Sequence, residues 1–138
     1  MEDARLIGGV AHANGAITSK RVLATACIAE AATGLALVLL PRIVVGLLFG
    51  ADVIGAGVVA CRIGGFALIA LGVACWPGDT KSRALAGMLA YSAPVTLYLL
   101  YLGLGGTWSG VLLWPAVVVH VLLTVLLARA WIHERAAK

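Results

Sequence analysis

Three ionisable side chains interrupt long apolar runs of this chain: Glu30 in CIAEAATG, Arg62 in CRIGGFALIALG and His120 in PAVVVHVLL. A carboxyl beside an imidazole can hold and exchange a proton. A guanidinium can neutralise the carboxylate or bind an anion. Tyr91, Tyr98 and Tyr101 add hydroxyls at spacings of seven and three, on one helical stripe. Pro94 lies on the same stripe and frees the carbonyl of Ala90 from its usual helix bond. Such a face either lines a polar cavity or packs aromatically with its hydroxyls satisfied across helices.

The elements that carry these residues follow from composition. Of 138 residues, 62% are hydrophobic and 12% charged. An average soluble domain is about 45–50% apolar and about 25% charged. A chain this short lacks the polar residues to cover a water-facing surface, which excludes a soluble globular domain, a disordered tail and a nucleic-acid binder. The apolar runs are continuous rather than alternating, which disfavours a β-barrel. An all-α polytopic membrane protein is expected, with lipid as the solvent for most of its surface.

A spanning helix takes about 20 residues, so four of them with short loops fill the chain as one domain. The expected spans are about 22–40, 54–76, 84–104 and 110–130. Lys20 and Arg21 open the first, and Pro41-Arg42 closes it. Ile43 to Phe49 is too short to cross and reads as an interfacial helix or as a kinked continuation of the first span. Asp52 then offers a cap for the second span, which Pro77-Gly78 closes. Between Arg83 and Arg129 no Asp, Glu, Lys or Arg occurs, a gap that suits two spans turning at Gly103 to Gly106. Pro115 falls in the first turns of the fourth span, where proline is tolerated. In a rival layout the stretch from Ile43 to Pro77 is split and Arg62 lies in a loop.

With four spans, eight basic residues gather on the face that holds both termini: Arg5, Lys20, Arg21, Lys81, Arg83, Arg129, Arg135 and Lys138. Arg42 falls on the other face. The positive-inside rule then places both termini in the cytoplasm, as in a bacterial cytoplasmic membrane protein. No apolar core of signal-peptide length occurs in residues 1–21, where a short surface helix is expected around Ala4 to Val10. Measured from the expected span starts, Glu30 and Arg62 each lie ~12 Å deep and His120 ~15 Å deep. All three therefore approach the midplane of a core ~30 Å thick. The bland reading is a structural lock, a Glu30–Arg62 ion pair that His120 can join as a third member. The sharp one is a site where Glu30 or His120 exchanges a proton or cation and Arg62 binds an anion or tunes its neighbours.

Cys27, Cys61 and Cys75 include no CxxC pair and read as thiols packed between helices. Neither a metal site nor a cofactor is expected. Small residues mark close helix approach: Gly34 on the first span, and Gly65 and Gly72 on one face of the second. Gly46 and Gly50 form a further GxxxG. No catalytic triad, P-loop, dinucleotide fingerprint or HExxH motif is present, so no enzyme is expected.

Two resemblances are visible. LALVLLPRIVVGLLFG (Leu35 to Gly50) followed by CRIGGFALIALG (Cys61 to Gly72) resembles the DoxX-like group of small bacterial membrane proteins, over about half the chain. That likeness implies a four-helix membrane fold, in a group with some members linked to redox or respiratory complexes. CIAEAATG is similar to the first helix of the small multidrug resistance transporters, with Glu30 at the position of their membrane carboxylate. The later spans depart from that family's spacing. The expected function is an accessory or scaffold subunit that packs with lipid and with other membrane subunits or copies of itself. The alternative is a proton-coupled transporter or small-molecule binder, working as a homo-oligomer with Glu30 as the exchanging group.

Overall fold

A computed structural model of the chain describes residues 2–78, 81–108 and 110–136, with side chains from residue 18 onward except that of Lys81. Lys138, one of the eight basic residues expected on the terminal face, lies outside the described residues. Among the described residues five helices occur, in the order α1 (Glu2–Leu39), α2 (Pro41–Phe49), α3 (Ala56–Ala74), α4 (Lys81–Leu104) and α5 (Leu113–Ala136). There is no strand among the described residues. Four stretches are long and apolar enough to cross a membrane: Thr18–Leu39, Ala56–Ala74, Ser82–Leu104 and Leu113–Ala136. The protein is an all-α bundle of four membrane-spanning helices with one short extra helix after the first.

Helix ends and membrane boundaries do not coincide. α1 runs without a break through Lys20 and Arg21, because no proline or turn sequence interrupts it, and it absorbs the short surface helix expected at Ala4 to Val10. In the same way α5 continues past Arg129 to Ala136. Charged residues mark where a helix leaves an apolar phase; they do not end it. Proline does end α1. Leu40 leaves the helical region (φ −131°, ψ 49°), and Pro41 begins α2 at a position where its missing N–H costs no helix bond.

α2 closes the end of the bundle away from the termini. The Leu112 N–H donates to the Leu47 carbonyl at 2.8 Å, which ties α2 to the start of α5. Gly110 sits so close to the Leu48 backbone that a Cβ there would overlap it. The rings of Phe49 and Trp108 meet edge to face at 5.6 Å. Gly50 ends α2 in the left-handed region (φ 69°), its N–H bonded to the Gly46 carbonyl. The Gly46–Gly50 pair is thus a helix stop, and a Cβ at Gly46 would meet nothing within 4 Å. Asp52 does not cap α3; Gly55 holds that position with no side-chain bond.

α1 and α3 run antiparallel with their backbones in contact. A Cβ added at Gly34 would lie 2.5 Å from the Gly65 carbonyl oxygen, and one at Gly65 would lie 2.5 Å from that of Gly34. Gly72 approaches the Cys27 carbonyl in the same way, at 2.7 Å. α4 and α5 form the second antiparallel pair. The two pairs join through α1. Leu23, Ala26 and Cys27 of α1 pack with Leu85 and Met88 of α4 and Leu123 and Leu127 of α5 in the half nearer the termini. In the other half, Leu99, Leu113 and Val117 cluster with Phe49 and Val95, and α1 contributes nothing there. α1 thus crosses the α4–α5 pair at one end and leans toward α3 at the other.

Candidate intramembrane proton site

Among the described residues Glu30 is the one carboxylic acid or base that is buried, with 3% of its surface exposed. It lies on the face of α1 that also carries Leu23, Ala26 and Cys27, all buried. Burial of this whole stripe, at helical spacing, is what forces a carboxyl into the core. The Glu30 Oε1 lies 3.8 Å from the Nε2 of His120 on α5. The Tyr91 hydroxyl on α4 lies beside the same carboxyl, close enough to interact with it. Three helices therefore converge on one acidic group.

The second nitrogen of the imidazole decides the chemistry. His120 Nδ1 lies 2.9 Å from the Ala116 carbonyl oxygen. A carbonyl only accepts, so Nδ1 carries a hydrogen. In the neutral ring Nε2 is then a bare lone pair facing Glu30. The pair holds one proton with no net charge, either on the carboxyl or on the imidazole. Removing that proton, or adding a second, leaves a net charge in a low-dielectric interior.

A hydroxyl ladder continues from this site between α4 and α5. Ser92 and Thr124 hydroxyls lie 2.7 Å apart, and Thr96 and Thr124 hydroxyls 2.9 Å apart. The Thr96 hydroxyl also lies 2.8 Å from the Ser92 carbonyl, which accepts. Thr124 is one turn beyond His120 on the same face of α5. Among the described residues no buried side-chain nitrogen or oxygen lacks a partner. Sequence reasoning passed over Ser92, Thr96 and Thr124, since short hydroxyls in a membrane helix can bond their own backbone. The available signal was the four-residue spacing of Ser92 and Thr96 around Pro94.

Arg62 does not join Glu30 and His120. The Gly34–Gly65 contact sets the α1–α3 register, and in it Arg62 falls beyond Gly65, toward the α1–α2 break. It is exposed and shares a groove with Leu40, Pro41 and Arg42. α3 also starts later than expected, so Arg62 is only six residues from its first residue, ~9 Å in. It lies within a helix, not in the loop of the rival layout. Glu30, nine residues before Leu39, is ~13 Å from the end of α1.

The tyrosine stripe divides too. Tyr91 is half-buried beside Glu30, while Tyr98 and Tyr101 are 62% and 70% exposed and stack on each other at 6.4 Å. Cys27 and Cys75 are buried in the core and Cys61 is half-buried, all as free thiols. Among the described residues no three His, Cys, Asp or Glu side chains group as metal ligands would. Comparison with models of known families, with curated proteins and with solved structures found no match.

Proposed function

We propose that this chain is an accessory or scaffold subunit of the bacterial cytoplasmic membrane, with both termini in the cytoplasm. It packs there with lipid and with other membrane subunits or copies of itself. The observation that carries this reading is the lopsided packing of α3. Only 11% of its spanning stretch is buried, against 28% for those of α1 and α4. α3 leans on α1 through Gly65 and Gly72, and its other sides are open. Ala60 and Ala67 lie on that open side, exposed, and a Cβ at Gly64 would meet nothing within 4 Å. Small residues without a neighbour in their own chain suit close approach of a second helix. The likeness of the first half to the DoxX-like group agrees with this reading.

The test is the assembly state in lipid nanodiscs, read by native mass spectrometry. A complex of copies or with a companion subunit is expected, and Ala67→Trp should dissociate it while leaving the helical content intact. A monomer without companions, or an assembly indifferent to Ala67→Trp, would overturn the reading.

A second reading rests on the bare Nε2 of His120. A lone pair facing a buried carboxyl is an arrangement that can take up and release one proton. In that reading the chain is a proton-coupled transporter or small-molecule binder, and Glu30 is the exchanging group. The likeness of CIAEAATG to the small multidrug resistance transporters agrees with it. Glu30→Gln should then fold normally and lose pH-linked ligand binding or flux. Retention of pH-linked binding by that variant would exclude Glu30 as the exchanging group.

A further inference from the structure

At the end of the bundle away from the termini, the α1–α2 break and the first turns of α3 enclose a groove of about 340 Å³. Arg42 and Arg62 line it from two different helices, together with Leu40, Pro41, Ile43 and Val58. Both arginines are exposed. Among the described residues neither has a carboxylate within ion-pair distance, while Glu30, the acid nearest the midplane, is committed to His120. The groove therefore carries two positive charges, one from each of two helices, and aliphatic side chains on the rest.

We propose that this groove binds one anionic phospholipid of the leaflet opposite the termini, its phosphate held between Arg42 and Arg62. Several features point to a lipid rather than a soluble anion. A guanidinium presents paired donors that match the oxygens of a phosphate. Arg62 starts ~9 Å inside α3, where a free aqueous anion is costly to bring. A long arginine at that depth reaches toward the headgroup level, so a lipid phosphate meets it there. The exposed aliphatic residues Leu40 and Ile43 give the acyl chains a surface beside the headgroup. Arg42 stands in the first turn of α2, whose N–H groups lack helical acceptors and favour an anion. Two uncompensated cations also set the preference: a zwitterionic lipid brings its own cation into the site, and an anionic one does not.

The experiment is native mass spectrometry of the full chain, released from micelles doped with phosphatidylglycerol or with phosphatidylcholine of matched acyl chains. A parallel arm adds inorganic phosphate. One phosphatidylglycerol per chain is expected to survive release, with phosphatidylcholine retained about tenfold less. Arg42→Gln and Arg62→Gln should each weaken retention about tenfold, and Arg62→Lys by less, because the charge remains. Arg129→Gln, at the opposite end, should change nothing. Circular dichroism of each variant checks that the helices persist. Equal retention of the two lipids would overturn the proposal. So would wild-type retention by the two glutamine variants, or displacement of the bound lipid by inorganic phosphate at millimolar concentration.

Discussion

The Nε2 of His120 faces the Glu30 carboxyl at 3.8 Å, while Nδ1 of the same ring is committed to the Ala116 carbonyl. One imidazole thus bridges a backbone acceptor of its own helix and an acid of another. The same geometry makes the pair a lock, because either partner alone is a polar group left in the core.

Removing the acid tests the lock. Glu30→Ala takes away the carboxyl that faces His120 Nε2 and neighbours the Tyr91 hydroxyl. A loss of about 2–3 kcal/mol is expected. Glu30→Gln keeps a hydrogen-bonding amide and should lose less than half of that. Denaturant unfolding in mixed micelles, followed by circular dichroism, measures both.

The α1–α3 contact predicts a sharp contrast between neighbouring glycines. A Cβ at Gly65 would stand 2.5 Å from the Gly34 carbonyl oxygen, and one at Gly64 would meet nothing within 4 Å. Gly65→Ala is expected to destabilise by about 1–3 kcal/mol, since backbone must move. Gly64→Ala should be neutral, or stabilising by up to about 1 kcal/mol through helix propensity. Parallel unfolding curves of the two variants decide it.

The hydroxyl ladder should behave as a unit. Thr124 meets both Ser92 and Thr96, so Thr124→Val is expected to cost about 1–2 kcal/mol. Ser92→Ala added to it should cost less than its effect in the wild type, because the shared bond is already gone. A double-mutant cycle on Ser92 and Thr124 reads the coupling directly.

α2 is held by backbone contacts as well as by the Phe49 ring, and Gly110 is where its backbone contact is tightest. Gly110→Ala drives a methyl into the Leu48 carbonyl and should release the Leu112–Leu47 bond. Faster hydrogen–deuterium exchange over residues 41–49, with α4 unchanged, is the expected signature. Unchanged exchange there would mean that α2 is anchored by other contacts.

Topology is open to labelling from water in a cysteine-free background. Cysteine placed at Asp52, in the exposed turn between α2 and α3, should react freely with a membrane-impermeant maleimide. Cysteine at Gly64, eight residues into α3, should not. Cysteine at Glu134 should react from the opposite side to Asp52. Labelling of Asp52 and Glu134 from the same side would contradict an even number of crossings.

Much of this protein was legible in its residues taken one at a time. The apolar fraction placed it in lipid, because so few polar side chains cannot cover a water-facing surface. Pro41 fixed the break after α1, since a ring without an N–H begins a helix and does not continue one. Glu30, Arg62 and His120 stood out as costly groups in apolar runs, and their similar depths grouped all three, with Arg62 as the expected partner of Glu30. Only the tertiary structure decided partners. The Gly34–Gly65 approach slides α3 along α1 until Arg62 lies beside Arg42 and Pro41. The leaning of α1 away from α4 covers Tyr91 and uncovers Tyr98 and Tyr101. Periodicity along one helix gives the face a side chain occupies, and hydropathy gives its depth. Neither carries the register or crossing of two helices, which is set by where their backbones can touch.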